Sequence, residues 1–133
     1  MNYQIEWLGN IVHVKYSGNL TDDLIYLSNK EIYESEQFPM MRGQLIDMLE
    51  IKRDLTTKQG MLAIAAKDLE AARKNPWVKV ALLINKGLII GSRMYELAMR
   101  GSSWRTEMFY DLDTAITWLQ TKQPNYSPVE TEH

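Results

Sequence analysis

Cysteine is absent from the sequence, which excludes disulfides, thiolate catalysis and thiolate metal sites. Histidine is scarce, since only His13 and His133 among the 133 residues carry an imidazole. A Ser-His-Asp triad would have to use His13, which lies in a strand-like pattern with Lys15, and an exposed strand histidine is the simpler interpretation. No recognisable pair of nucleophile and base remains, so we expect a protein without enzymatic activity.

The acidic residues lack the spacing of a metal site. Pairs of aspartates stand at predicted helix starts, where the helix dipole favours carboxylates, and neither pair matches a calcium loop: Asp22, Asp23, Asp111 and Asp113. The segment from Gly87 to Gly91 lacks both the third glycine of a dinucleotide fingerprint and the lysine of a P-loop. We therefore expect neither a metal nor a cofactor.

An excess of positive charge is also missing. The formal net charge is −2, so the chain has no basic field to attract a nucleic-acid backbone. No apolar run approaches the roughly 20 residues of a membrane-spanning helix. The segment Met1 to Glu6 has neither the positive nor the apolar region of a signal peptide. We expect a cytoplasmic protein that does not bind nucleic acid and is at most peripheral to a membrane.

What the sequence does contain is typical of a soluble globular domain. Hydrophobic residues make up 45% and charged residues 24% of the chain. The length corresponds to about one domain, which we place at residues 1–121. From Lys122 the sequence is polar and carries Pro124 and Pro128, so residues 122–133 are expected to form a flexible tail.

The stretch from Trp77 to Ile84 is the clearest structural signal. It is a short aliphatic and β-branched run that follows Asn75-Pro76 and precedes Asn85-Lys86-Gly87. This pattern predicts a strand buried deep in a sheet. Helical patterns flank it on both sides, so the rest of the chain is expected to add strands to this one and to cover them with helices.

Alternating and helical periodicities define the remaining elements. Alternation predicts four further strands, of which the first two form a hairpin: Tyr3–Trp7, Ile11–Tyr16, Gln44–Leu49 and Arg105–Tyr110. Capping signals predict helix starts at Thr21, Thr56 and Asp111. A polar loop is expected over 50–55, before a helix through Met61 and Ala72. The order ββαβαβαβα predicts an α/β fold with a five-stranded mixed sheet and four helices.

The predicted helix from Leu88 to Met99 is unusually apolar. Its apolar residues cover much of its circumference, so it is either buried nearly all round or presents an apolar patch to a ligand, a lipid or a partner. Arg93 and Arg100 share one face and would suit an anionic head group. A site for a small amphipathic ligand is therefore predicted at Leu88, Ile89, Arg93, Met94, Leu97 and Arg100.

Several segments together resemble the bacterial SpoIIAA-like proteins, relatives of the STAS (sulfate transporter and anti-sigma-factor antagonist) domains. The resemblance spans about residues 2–120 and depends on structural motifs. The segments that carry it are Val14-Lys15-Tyr16-Ser17-Gly18, Gln44-Leu45-Ile46-Asp47, Ala71-Ala72-Arg73-Lys74-Asn75-Pro76 with Val80-Ala81-Leu82, Arg93-Met94-Tyr95, and Phe109-Tyr110-Asp111-Leu112-Asp113-Thr114-Ala115 with Trp118-Leu119.

The resemblance implies a β-α superhelix and a distant likeness to the lipid-carrying CRAL-TRIO domains. It also implies a regulatory alternative, in which the protein switches partners as an anti-sigma-factor antagonist does. Those antagonists carry a phosphorylated serine just after the third strand, following an aspartate. Asp47 matches that aspartate, but Met48-Leu49-Glu50 follows it, and Thr56 and Thr57 are the nearby hydroxyls.

Two functions therefore remain open. The first is a binding module for a small amphipathic ligand, with contact to a membrane surface. The second is a partner-switching regulator with Thr56 or Thr57 as the modified hydroxyl, which requires a protein partner. A homodimer is expected in either case, with Tyr3, Trp7 and Trp104 as interface aromatics.

Overall fold

The computed structural model describes residues 2–121, and the predicted tail at 122–133 lies outside the described residues. The strands are β1 (Tyr3–Leu8), β2 (Ile11–Leu20), β3 (Gly43–Asp54), β4 (Lys79–Leu83) and β5 (Arg105–Phe109). The helices are α1 (Asp22–Tyr33), α2 (Lys58–Lys74), α3 (Ile89–Met99) and α4 (Leu112–Gln120), with short 3-10 turns at Phe38–Met40 and Lys86–Leu88. The predicted α/β order is confirmed.

The five strands form one mixed sheet in the order β1-β2-β3-β4-β5. The β1–β2 hairpin is antiparallel, and its turn uses Gly9 at a φ of 64°, a conformation that glycine adopts without steric cost. The other neighbours are parallel and are joined through helices, as parallel pairing requires. All residues of β4 are buried, which confirms the interpretation of the apolar run at 77–84.

Helices cover the two faces of the sheet unequally. The larger core lies under α1, α2 and α3 and includes Val14, Val80 and Leu82. On the opposite face, Leu45, Ala81 and Leu83 of β3 and β4 pack against Ala115 and Leu119 of α4 and form a smaller core. Full burial of a valine or leucine side chain contributes about 1.5–3 kcal/mol, so both cores stabilise the layers. Three of the four helices within residues 2–121 therefore cover one face of the sheet, and α4 covers the other.

Lys79 is buried although it lies in the central strand β4. Its ammonium donates hydrogen bonds to the carbonyl oxygens of Trp118 at 2.8 Å and of Thr121 at 2.5 Å. These carbonyls end α4, where the helix dipole favours a cation. Burial lowers the pKa of Lys79, and the side chain fastens α4 to the sheet.

Strand β3 runs further than the sequence predicted. The segment expected to be a polar loop, 50–55, continues the strand to Asp54, because β2 pairs with it from Ser17 opposite Glu50 to Leu20 opposite Asp54. The helix cap is also displaced. Thr57 caps α2 by accepting a 2.9 Å hydrogen bond from the amide of Gly60, so the prediction that Thr56 caps this helix was wrong.

Trp104 lies in the core and not at an interface. Its side chain is buried, and its indole Nε1 donates a 2.7 Å hydrogen bond to the carbonyl of Asn75. It also makes an edge contact with Tyr33, with ring centroids 6.1 Å apart. The prediction of an exposed interface aromatic at this position was wrong. Tyr3 and Trp7 are half-buried in β1, and the homodimer stays a prediction.

Candidate ligand-binding site

A cavity of about 70 Å³ lies between the sheet and the helices α1, α2 and α3. Its wall is mostly apolar, and each neighbouring element supplies part of it. The lining residues are Tyr16, Leu20, Ile25, Asn29, Gln44, Ile46, Met48, Asp54, Thr56, Met61, Ile64, Asp68, Val80, Leu82, Leu88, Gly91, Ser92 and Tyr95. Nearly the whole cavity belongs to regular elements, which hold its shape.

The cavity has a mouth and an inner end. The parallel strands end where α2 and α3 begin, so the first turns of these helices, with Met61 and Gly91, lie at the carboxyl edge of the sheet. These two residues are half-buried, which marks this edge as the mouth. Asp68 and Tyr95 follow later on the same helices and are buried, so they form the inner end. Ligand sites of open α/β sheets occur at this carboxyl edge.

Asp68 is the centre of a hydrogen-bonded cluster at the inner end. Its Oδ1 accepts a 2.7 Å hydrogen bond from the hydroxyl of Tyr33 and a 3.4 Å bond from the amide of Asn29. Its Oδ2 accepts a 2.5 Å bond from the hydroxyl of Tyr95. The carboxyl therefore ties α2 to both α1 and α3.

Burial raises the pKa of Asp68 to about 6, and the bonds from Tyr95 and Tyr33 offset part of that rise. Burial, together with the neighbouring carboxylate, also raises the pKa of both tyrosines, so they stay neutral. Water exclusion disfavours the charged carboxylate, whereas phenol donors favour it. A perturbed buried carboxyl beside a cavity is a candidate functional group.

No basic residue neutralises Asp68 within residues 2–121. The ion pairs of this part of the chain lie elsewhere, for example between Lys15 and Glu50 or between Lys30 and Glu34. The lining residues include no lysine, arginine or histidine. A buried carboxylate without a cation is costly, and hydrogen bonds from neutral groups offset that cost only in part.

Tyr16 contributes the wall at β2. Its hydroxyl bonds to the Oγ of Ser28, which in turn donates a 2.9 Å bond to the carbonyl of Ile25. Burial raises the pKa of Tyr16 well above its usual range, so this side chain remains a neutral phenol. Its hydrogen-bonding capacity is largely used within the protein, which leaves Asp68 as the charged group at the inner end.

The structure brings one of the predicted ligand-binding residues, Leu88, to the cavity. Ile89 packs against the larger core. Met94 and Leu97 are exposed on α3. The guanidinium groups of Arg93 and Arg100 lie 3.9 Å and 3.5 Å from the carboxylate of Glu96 and do not line the cavity. These residues form an outer surface of α3 and not one pocket.

The two predicted regulatory hydroxyls stand beside the mouth. Thr56 lines the cavity and its hydroxyl donates a 2.5 Å bond to Oδ1 of Asp54. The Thr57 hydroxyl donates a 2.7 Å bond to Oδ2 of Asp22 at the start of α1. The Asp22–Thr57 contact thereby joins the first turns of α1 and α2.

The sequence did not point to Asp68, although a signal was present. Asp68 falls on the face of α2 that also carries Met61, Ile64 and Ala72, because successive members of this set are three or four residues apart. An acid in an apolar stripe is unusual for a solvated helix. Its partners Tyr33 and Tyr95 come from other helices, so the cluster itself depends on the tertiary fold.

Within residues 2–121, no group of three or more acidic or histidine side chains is placed to bind a metal ion. No helix in this part of the chain is long and apolar enough to cross a membrane. No protein-family model matches the chain. No curated protein sequence is significantly similar to it.

Among solved structures, the chain is similar to an uncharacterized protein of the DUF3478 family from Shewanella loihica PV-4, which has a SpoIIAA-like fold. The TM-score is 0.55 and the sequence identity 17%, and the match covers 88% of this chain and 91% of that one. The SpoIIAA-like fold expected from the sequence is thus confirmed, and this similarity establishes the fold alone.

Proposed function

We propose that the protein is a non-enzymatic binding module that holds a small amphipathic ligand in the cavity between α1, α2, α3 and the sheet. The observation that carries this proposal is the combination of a mostly apolar wall with one buried carboxyl at the inner end that has no cationic partner within residues 2–121. Ligand pockets are commonly apolar with a few polar groups that fix orientation.

The size of the cavity limits the ligand. A cavity of about 150 Å³ is enough to bind benzene, so 70 Å³ holds only a short segment of the ligand and the remainder must pass the mouth. Each buried methylene contributes about 0.8 kcal/mol, so four methylenes give about 3 kcal/mol. Micromolar affinity needs about 8 kcal/mol, so the polar group of the ligand must contribute much of the rest.

A substitution that blocks the mouth of the cavity tests the proposal. Gly91 lines the cavity, so the ring of Gly91→Phe is expected to occupy the mouth. A Cβ has room at this position, because its nearest contact is an ordinary one, 3.7 Å from Oδ2 of Asp54. The matched control is Ile90→Phe, at a neighbouring position that is 78% exposed. Calorimetric titrations with n-hexylamine, 1-hexanol and hexanoate should detect binding of at least one compound to the wild type and to Ile90→Phe. We expect that binding to be lost in Gly91→Phe.

Absence of binding by all three compounds would contradict the proposal, and so would equal binding to both variants. The hexanoate titration also tests the sequence-based expectation of an acidic head group at Arg93 and Arg100. Because both arginines already contact Glu96, we expect their contribution to be small.

Contact with a membrane surface is a second part of this proposal. Ile90, Met94 and Leu97 form an exposed apolar stripe at spacings of four and three along α3. This stripe lies on the helix that also supplies Leu88 and Gly91 to the cavity. A ligand that enters from a membrane would therefore meet the stripe next to the mouth.

Partner switching is the second candidate function, and the end of β3 favours it. Since the strand ends at Asp54, the segment after the third strand is Leu55-Thr56-Thr57, and Asp54 replaces Asp47 as the aspartate before a hydroxyl. A phosphate on Thr57 would place negative charge beside Asp22, which now accepts bonds from the Thr57 amide and hydroxyl. Repulsion would separate α1 from α2 there.

Pull-downs with wild type, Thr57→Ala and Thr57→Glu distinguish the two functions. A partner that is retained by Thr57→Ala and released by Thr57→Glu would support switching. Identical partners for all three proteins would contradict a switch at Thr57. Thr56→Ala and Thr56→Glu serve as the comparison, because the Thr56 hydroxyl bonds within its own turn to Asp54 and does not join two helices.

A further inference from the structure

We propose that the inner end of the cavity recognises a primary ammonium group, so that the ligand is a small aliphatic amine bound to Asp68. This inference rests on the proposed binding function and names the chemical class of its ligand. It differs from the expectation of an anionic head group, which depends on residues outside the cavity.

Charge complementarity is the first argument. Among the described residues, the cavity is lined by two carboxylates, Asp68 at the inner end and Asp54 at the mouth, and by no basic side chain. An anionic head group would meet like charge at both ends. A cation would neutralise a carboxylate that has no ion-pair partner within residues 2–121 and lies in a water-poor environment, where opposite charges attract strongly.

Hydrogen-bonding capacity is the second argument. A carboxylate offers about four acceptor positions, whereas three bonds from Tyr33, Asn29 and Tyr95 are present on Asp68. Oδ2 carries one of these bonds and keeps room for a further donor. The hydroxyl oxygen of Tyr95 is able to accept a bond, because its hydrogen is donated to Asp68. An ammonium brings three donors and no acceptor, so it fits these oxygens, whereas a carboxylate ligand finds no cation here.

The order of residues along the cavity fixes the orientation of the amine. The apolar side chains of Ile46, Ile64 and Leu82 lie on the strands and helix between the mouth and the inner end. The ammonium therefore enters first, and the alkyl chain occupies the apolar middle. A chain of about four carbons matches the small volume, since about 150 Å³ already accommodates benzene.

Protonation of Asp68 makes the binding pH-dependent. The titratable groups that face Asp68 are Tyr33 from α1, Tyr95 from α3 and Tyr16 from β2, and burial raises the pKa of each. These phenols therefore stay neutral, and Asp68, with a pKa of about 6, is the group that titrates. Amine affinity should fall about tenfold from about pH 7.5 to about pH 5, as the ionised fraction of Asp68 falls.

The test compares two isosteres, n-butylamine and 1-butanol, by chemical-shift titration of the whole chain at about pH 7.5. The wild type should bind the amine at least tenfold more tightly than the alcohol. In Asp68→Asn this preference should vanish while alcohol binding persists. Asp54→Asn is the matched control, because it removes the other lining carboxylate at the exposed mouth and should keep most of the preference.

Each outcome has a separate meaning. If the alcohol binds and the amine shows no preference, or if Asp68→Asn keeps the preference, the amine assignment is wrong and the binding function stands. If neither compound nor hexanoate binds, the proposed function fails as well. The pH titration of the wild type needs no variant, so a folding defect in Asp68→Asn leaves the test intact. An affinity unchanged between about pH 7.5 and about pH 5 would overturn the proposal.

Discussion

The hydroxyl of Tyr95 donates a 2.5 Å hydrogen bond to Oδ2 of Asp68, which joins α3 to α2 at the inner end of the cavity. Tyr33 makes the corresponding bond from α1 to Oδ1 at 2.7 Å. Three helices thus meet on one carboxyl that has no cation partner within residues 2–121. The cluster holds the helices in position and also presents the charge that a ligand would meet.

Tyr95→Phe should destabilise the protein by about 1–3 kcal/mol, because the buried carboxyl loses a donor and is left partly unsatisfied. The pKa of Asp68 should rise further, since the Tyr95 bond lowers it. Urea unfolding measures the first effect. Tyr110→Phe is the control, because Tyr110 is 60% exposed and its substitution should hardly change the free energy of unfolding. Equal stability of the two variants would contradict a structural role for the cluster.

Asp68 should also set a pH dependence of stability. Its pKa is about 6 in the folded state and near 3.8 when unfolded, so the native state holds its proton more tightly. The stabilisation that protonated Asp68 contributes is complete below about pH 4 and is lost as the pH rises through about pH 6. The wild type should lose on the order of 2–3 kcal/mol relative to Asp68→Asn over this range.

Urea unfolding of both proteins from about pH 4 to about pH 7.5 measures this difference. Other titrating groups are common to the two proteins and cancel in the comparison. A difference in stability that stays constant with pH would show that Asp68 does not titrate in this range.

Lys79→Met should destabilise the protein by roughly 1–3 kcal/mol, because the buried ammonium donates to the carbonyls of Trp118 and Thr121 at the end of α4 and the methionine cannot. Detachment of α4 should appear as faster amide exchange near Leu119 than near Val14, which lies under the other helices. Lys67→Met, at an exposed position of α2, is the control. Uniform exchange changes would argue against a specific role in holding α4.

Gly60→Ala should lower the stability of the protein, whereas Gly91→Ala should raise it. Replacing glycine by alanine inside a helix ordinarily stabilises it by up to about 1 kcal/mol. At Gly60 a Cβ would lie 2.1 Å from the Asp22 carboxylate, so Asp22 must leave the cap of α2 and release Thr57. At Gly91 the nearest atom is 3.7 Å away. We expect Gly91→Ala to be more stable than Gly60→Ala by about 1–2 kcal/mol in urea unfolding.

Ile90→Asp should weaken any contact with lipid vesicles without unfolding the protein, because Ile90 is 78% exposed. Sedimentation with liposomes of neutral and of anionic lipid measures the contact. Lys52→Asp is the comparison, since it changes an exposed charge on β3, away from the apolar stripe on α3. Absence of wild-type binding to either liposome would refute the membrane part of the proposed function.

The sequence was informative wherever local residues decide the structure. The apolar run at 77–84 contains the fully buried strand β4, and Asp111 caps α4 by accepting a 2.9 Å bond from the Thr114 amide, as predicted. The end of β3 was missed because its polar residues look like a loop. Their strand conformation depends on β2, which is distant in sequence and supplies the hydrogen-bonding partners.

The candidate site was harder to predict for the same reason. The only sequence signal for Asp68 is its place in an apolar stripe of α2, and its partners Tyr33 and Tyr95 are brought to it by folding. The ion pairs of Arg93 and Arg100, in contrast, could have been predicted from the sequence alone. Glu96 lies three residues after one and four before the other, at the spacings that form ion pairs on a helix.

The most direct test of ligand binding in the cavity is a methyl NMR titration with n-butylamine. We expect saturable shifts of the methyl groups of Ile46, Ile64 and Leu82, which line the cavity. The methyl groups of Ala115 and Leu119, on the opposite face of the sheet, should not move. An absence of shifts, or shifts confined to the exposed Ile90 and Leu97, would contradict a ligand site between the three helices and the sheet.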